Sequence, residues 1–148
     1  MTDLAPFADL VTLDHGLSVV VALRSDGTPH TSVVNAGVLR HPVSGADIVA
    51  FVAAGQARKL VHLRRNPTIA VVVRAGWRWA SVEGAAELLG PDDPHPEVGP
   101  ERLRLLLREI FTTAGGDHDD WDTYDRVMRD ERRTAVLITP TRLTSNPA

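Results

Sequence analysis

Leu17-Ser18-Val19-Val20-Val21-Ala22-Leu23, then Ser25-Asp26-Gly27-Thr28-Pro29, then the run from His30 to Leu39, spell two extended segments joined by a turn. The first is β-branched and almost wholly apolar, the second continues extended, and Asp26-Gly27 between them is turn chemistry and nothing more, so the stretch predicts a β-hairpin. Outward from it, His41-Pro42-Val43-Ser44-Gly45 is a second turn and Asp47 to Ala53 a third strand, closed off by Gly55. Ile69 to Arg74 and Trp79 to Leu88 add two strands. The latter sets Ala80, Val82, Gly84, Ala86 and Leu88 on one face against Ser81, Glu83 and Glu87 on the other. A last strand is expected over Thr134 to Thr139. Five strands in succession without βα alternation, and a sixth after a helical region, argue against a doubly wound parallel sheet and for a six-stranded antiparallel barrel, mostly β with flanking helices.

The clearest helix is expected over Glu101 to Thr112, where Leu103, Leu106, Leu107, Ile110 and Phe111 recur at helical spacing and Pro100 suits the first turn. Trp121, Tyr124, Val127 and Met128 repeat the pattern behind the acidic Asp117-His118-Asp119-Asp120, whose carboxylates suit a helix N-terminus. An N-terminal helix is expected over Phe7 to Leu13. The proline-rich stretch from Gly90 to Pro100 reads as a surface loop inside one domain spanning residues 1–148.

Composition narrows the partners. The chain has 148 residues, 43% hydrophobic and 24% charged, with no Cys, which excludes a disulfide scaffold. With 19 acidic against 16 basic residues it lacks the basic excess that would favour nucleic acid or an anionic membrane. Its apolar runs fall far short of the roughly 18 residues of a membrane span. Met1-Thr2-Asp3-Leu4 shows no signal-peptide pattern, so the cytoplasm is the expected location.

The segment Gly55-Gln56-Ala57-Arg58-Lys59-Leu60-Val61-His62-Leu63-Arg64-Arg65-Asn66-Pro67 carries the chemistry. Gln56 to Arg65 reads as a short helix stopped by Asn66-Pro67, with Arg58, His62 and Arg65 on one face and Ala57, Leu60, Val61 and Arg64 on the other. Arg58 and Lys59 fall in its first turn, where free backbone N–H groups already favour an anion, so strand, glycine and basic turn together point to a phosphate site. Lys59 is the one lysine in the chain, a compact point charge among arginines. No G-x-G-x-x-G, Walker-type loop or G-x-S-x-G elbow is present, and the six His lack metal-ligand spacing, so no metal is expected. Trp77 and Trp79 flank Arg78 in what reads as one strand, placing both on one face of the sheet. Trp121 and Tyr124 read as packing residues.

The hairpin Leu23 to His30, the Ala57-Arg58-Lys59 to Asn66-Pro67 helix, and Trp79 to Glu87 with its Val82-Glu83-Gly84 resemble the pyridoxamine 5'-phosphate oxidase-like split β-barrel superfamily. His118-Asp119-Asp120-Trp121-Asp122-Thr123-Tyr124, with Asp130-Glu131-Arg132-Arg133 after it, is similar to the branch of flavin/deazaflavin oxidoreductases that use coenzyme F420. The resemblance covers most of the chain in the right order. It implies an FMN-binding type of split barrel, a homodimer with a cofactor in each of two interface grooves, and hydride transfer from reduced F420 to a small conjugated organic acceptor. An FMN-dependent oxidoreductase and a non-catalytic carrier of F420 or flavin are the alternatives. By the same resemblance Arg58 and Lys59 would hold the cofactor phosphate, and the strand Thr31-Ser32-Val33-Val34-Asn35 would run beside the ring. Val52, Ala53 and Ala54 would line the groove, Trp77 or Trp79 would close it, and Trp121 would approach the substrate side. His62 departs from the Asn common at its position, and Val61 from a basic residue found there in some members. Such a cofactor supplies the hydride chemistry, so no acid/base dyad is required of the chain.

Overall fold

The computed structural model describes residues 2–147. Helix α1 (Ala5–Val11) leads into β1 (Leu17–Leu23), β2 (Pro29–Arg40) and β3 (Asp47–Ala53). Helix α2 (Arg58–Arg65), β4 (Thr68–Ala75) and β5 (Arg78–Leu89) follow, then α3 (Pro100–Thr113), α4 (Trp121–Asp130) and β6 (Thr134–Ser145). The strands close a barrel in the order β1-β2-β3-β6-β5-β4, each neighbouring pair antiparallel. The architecture expected from the hairpin and its successors is the one observed.

Two cores hold it. Inside the barrel Val20, Val49, Phe51, Val71, Val82, Val136 and Ile138 interdigitate, with Phe7 and Leu10 of α1 and Leu60 and Leu63 of α2 packed into the same cluster. Outside, α3 and α4 bury Leu106, Leu107, Ile110 and Tyr124 against Ile48 and Ala50 of β3 and Ala135 and Leu137 of β6. β3 and β6 therefore separate two apolar layers, which is why Ile48 to Ala53 and Ala135 to Ile138 are apolar at consecutive positions instead of alternating.

Several boundaries move, each for a local reason. α1 is shifted from the expected Phe7 to Leu13 because Pro6 occupies its first turn, and α2 starts at Arg58 because Ala57 is still extended. β6 runs past the expected end at Thr139 to Ser145. Pro140 is accommodated where the β5–β6 register shifts between Glu83 and Gly84, so its missing N–H falls at a bulge. A Cβ on Gly84 would lie 2.1 Å from the Thr139 carbonyl oxygen, so only glycine allows that close approach. Trp77 was expected in a strand on the same face as Trp79. It lies instead in the β4–β5 turn after Gly76 (φ +60) and is 95% exposed, while Trp79 alone belongs to the strand. Among the described residues no helix is long and apolar enough to cross a membrane.

Candidate functional site

The geometry around Lys59 is set by a helix end elsewhere in the chain. α4 closes with the Arg133 N–H donating to the Met128 carbonyl (2.9 Å) and the Arg132 N–H to that of Arg129 (3.1 Å), with Arg132 left-handed at φ +50. This is a Schellman-type cap with arginine where glycine is usual. Gly55, in the β3–α2 connection, fits against that cap: its N–H donates to the Glu131 carbonyl (3.0 Å), and a Cβ there would sit 2.7 Å from the Arg132 oxygen. The start of α2 is thereby fastened to the start of β6, and Lys59 comes to lie beside Arg133. Burial first, and the Arg133 charge second, push the half-buried Lys59 ammonium below its ordinary value. Arg133 pairs with Glu131 at 2.6 Å, whereas no Asp or Glu among the described residues pairs with Lys59.

Arg133 also lines a cavity of about 530 Å³ whose wall includes His15, Asn35, Val52, Phe111, Tyr124 and Met128. Asn35 Nδ2 donates to the His15 carbonyl at 2.8 Å, which fixes the amide, and the Tyr124 hydroxyl donates to the Leu107 carbonyl at 3.0 Å. Burial raises the Tyr124 phenol to about 12, so it stays protonated near neutral pH. Phe111 and Tyr124 are packed from behind by Trp121, with ring centroids 6.1 and 5.2 Å away, and the Arg108 guanidinium lies 5.1 Å from the Trp121 ring. The cavity has an aromatic wall and a cationic end and, among the described residues that line it, no carboxylate, an arrangement suited to a flat, anionic ligand. A neighbouring cavity of about 450 Å³, under the proline-rich loop, shares Met128 and Arg133 with it.

The expected site residues are distributed unequally. Strand alternation divides Ser32, Val33, Val34 and Asn35, so that Val33 is 65% exposed on the outer face with Asn35, while Ser32 and Val34 turn the other way and are half-buried. The Ser32 hydroxyl oxygen is buried with no hydrogen-bond partner. Val52 lies in the cavity wall, Ala53 is buried in the barrel core, and Ala54 follows in the connection to α2. Trp79 is half-buried, its N–H donating to Asn146 Oδ1 at 2.9 Å, and Asn146 Nδ2 in turn donates to the Trp77 carbonyl at 2.6 Å. Arg58 lines a separate cavity with Arg65 and the 8%-exposed His62. Arg64 is engaged by Asp93 in a two-pronged pair at 2.7 and 3.0 Å.

Arg133, Phe111, Tyr124 and His15 are wall residues that sequence reasoning did not place in the site. Arg133 and Tyr124 left a trace, as members of the two stretches that resemble the F420-using branch. Phe111 and His15 are ordinary members of an amphipathic helix and a loop until the fold assembles them.

No protein-family model matches the sequence. Among solved structures, a conserved hypothetical protein from Mycobacterium tuberculosis superposes with a TM-score of 0.66 at 22% identity, covering 98% of this chain and 84% of that one. An F420 reductase matches with a TM-score of 0.60 at 14% identity over 90% of this chain and 93% of its own. A pyridoxamine 5'-phosphate oxidase-related, FMN-binding protein from Nostoc punctiforme gives a TM-score of 0.60 at 13% identity, covering 96% and 79%. Identities this low carry architecture and not activity, and the architecture of this chain is the split β-barrel of the pyridoxamine 5'-phosphate oxidase-like proteins.

Proposed function

We propose that the chain is a cytoplasmic, homodimeric oxidoreductase that holds F420 in the cavity between β2, β3 and α3 and passes hydride to a small conjugated organic acceptor. The observation that carries this reading is an aromatic-walled cavity that ends in Arg133, with Lys59, a half-buried ammonium that pairs with no carboxylate among the described residues, behind the wall and within the field of Arg133. A bound phosphate would relieve the repulsion between the two cations and restore the lysine's preference for its charged form. The residues present thus fit an anionic, planar cofactor, which when bound would supply the hydride chemistry itself. Phe111 and Tyr124 would shield the ring from water, and Asn35, fixed by its bond to His15, would orient it. The likeness to an F420 reductase is matched by one to an FMN-binding protein at the same TM-score of 0.60, so the choice of the deazaflavin rests on the resemblance of the segment His118 to Tyr124 to the F420-using branch.

A second copy of the chain would complete the groove. The outer face of β1 and β2 exposes Leu17, Val19 and Val33 at 42%, 43% and 65%, with Val19 directly opposite Val33 in the register, an apolar strip that supports self-association. Fluorescence titration of the purified protein with F420 and, separately, with FMN tests the ligand. Saturable F420 binding, weakened in Lys59→Ala by about 1.5–3 kcal/mol as for a hydrogen bond to a charged group, is the expected result. Preference for FMN would reassign the cofactor, binding without hydride transfer to any acceptor would leave a carrier, and an unchanged Kd in Lys59→Ala would remove that residue from the site.

A further inference from the structure

Two cavities share Met128 and Arg133 in their walls, and the cofactor reading uses one of them. The other, of about 450 Å³, lies under the proline-rich loop, between the end of β5, α3 and α4. Its floor is the edge of the outer core: Leu89, Leu107 and the 8%-exposed Val98 belong to that cluster, and Leu103 and Met128 pack against it. The loop above is stiff and fastened. Four prolines fix φ along residues 91–100. Gly90 and Asp93 exchange N–H bonds at 3.2 and 3.0 Å, and the Val98 N–H donates to the His95 carbonyl at 3.2 Å. Side chains then tie the loop to three other parts of the chain. Asp93 takes the fork of Arg64 on α2 at 2.7 and 3.0 Å, Asp92 takes that of Arg132 behind α4, and His95 Nε2 faces Glu87 of β5 across 3.9 Å. Gly90 presses the start of the loop onto β6, where a Cβ would lie 2.6 Å from Thr134 Oγ1.

A roof held in this way does not settle into the space beneath it. The apolar lining is left without dispersion partners on one side, and water there finds few groups to bond. Nor does the wall ask for charge. Its three carboxylates are all engaged by arginines: Asp93 by Arg64, Asp125 by Arg104 and Arg108, and Glu101 by Arg104. Of its other cations, Arg133 pairs with Glu131 at 2.6 Å and Arg129 reaches Asp130 at 3.9 Å. Among the described residues, no lining side chain has a buried polar atom that lacks a partner.

We propose that the cavity under the proline-rich loop is a binding site for a neutral, largely apolar small molecule, an aromatic or alicyclic compound of two or three rings. Its volume falls in the range of small-molecule pockets, and a cavity of about 150 Å³ already admits benzene. A ligand of that class restores the missing dispersion contacts and needs no hydrogen bond that the wall does not offer. A charged relative of the same shape is disfavoured, because its ion would leave water for a wall whose own charges are already paired. The site does not depend on which cofactor the first cavity holds.

The probes are a matched pair: N-phenylnaphthylamine, a neutral fluorophore that brightens on leaving water, and anilinonaphthalene sulfonate, the same rings with one negative charge. Titration of the native protein should show one saturable site for the neutral probe and at least tenfold weaker binding of the sulfonate. Amide hydrogen exchange with the neutral probe bound should slow across residues 90–107 and stay unchanged in β2, which walls only the first cavity. Leu103→Trp, which fills the space under the loop, should weaken the neutral probe at least tenfold, and Val52→Phe, in the wall of the first cavity, should leave its affinity within about twofold. Titration and exchange need no variant, so a variant that misfolds does not blunt the test. Absence of saturable binding, protection confined to β2 and its neighbours, or equal affinity in Leu103→Trp would overturn the site. Equal or tighter binding of the sulfonate would overturn the neutral class of ligand.

Discussion

The two walls of the barrel are built from equally apolar strands and end in opposite surroundings. On the β3–β6 side, Ile48, Ala50, Ala135 and Leu137 point outward and are sealed by α3 and α4. On the β1–β2 side, the outward Leu17, Val19 and Val33 have no helix over them among the described residues and stay 42%, 43% and 65% exposed. A strand such as Leu17 to Leu23, apolar at nearly every position, reads as buried on both faces, and in the single chain it is buried on one. The difference teaches that an apolar run records how many layers a strand separates in the working molecule, and the second layer need not come from the same chain.

Truncation separates the walls most strongly. Leu106 is fully buried in the cover, so Leu106→Ala should cost about 2–5 kcal/mol in denaturant unfolding. Val33→Ala, on the open wall, should leave unfolding of the isolated chain within about 0.5 kcal/mol, as surface substitutions do. Equal losses at the two sites would abolish the distinction between sealed and open walls. The partner layer is probed by charge: Val33→Asp would bring two carboxylates into a self-associating apolar strip, and its Kd for dimerisation should rise by about 100-fold or more, roughly 2.7 kcal/mol. Sedimentation at micromolar concentration should then find folded monomer. A native protein that is itself monomeric would sink the open-wall reading.

The barrel was legible because hairpin turns and strand alternation are local signals, and the helices because their apolar spacing is. What was hidden is what depends on register across the chain. Trp77 and Trp79 shared a face only on the assumption that the strand included Trp77, and Gly76 makes a turn there instead. Arg58 and Lys59 are neighbours in sequence, but adjacent helical positions diverge, and the structure gives Lys59 to Arg133 and Arg58 to His62 and Arg65. Arg133 could not be placed beside Lys59 without knowing that Gly55 packs on the α4 cap, a contact between residues remote in sequence.

The cover is fastened by a side-chain clamp, which gives a pH-dependent contrast. Asp125 on α4 accepts from Arg108 Nε and Arg104 Nη1 of α3, each at 2.9 Å. Arg108 first, then Arg104, hold its carboxyl below the ordinary value of 3.8. A carboxyl depressed in the native state stabilises fully above that ordinary value and ceases to do so as pH falls through the lower native one. Asp125→Asn should therefore cost about 1.5–3 kcal/mol at pH 7, the range for hydrogen bonds to charged groups, and the gap to the native protein should close in strong acid. Parallel stability curves for the two proteins from pH 7 to pH 2 would show that the clamp does not hold the cover.

The smallest effect concerns whether the cover can loosen while the barrel stays shut. α4 presents only Tyr124 as a fully buried residue, so its stability leans on its ends. At the N-terminus the Asp120 carboxylate accepts from the Thr123 N–H at 3.1 Å and the Thr123 hydroxyl at 2.7 Å, so among the described residues α4 is the helix whose N-cap residue itself supplies a side-chain bond. Asp120→Ala should remove about 1 kcal/mol. Because α4 contributes little to the barrel interior, that loss should appear as faster amide exchange confined to α4, with β3 and β6 exchanging as before. The open wall has no such cover to lose, so β1 and β2 should be unaffected as well. Exchange that quickened in α4 and the strands alike would mean that cover and barrel unfold as one unit.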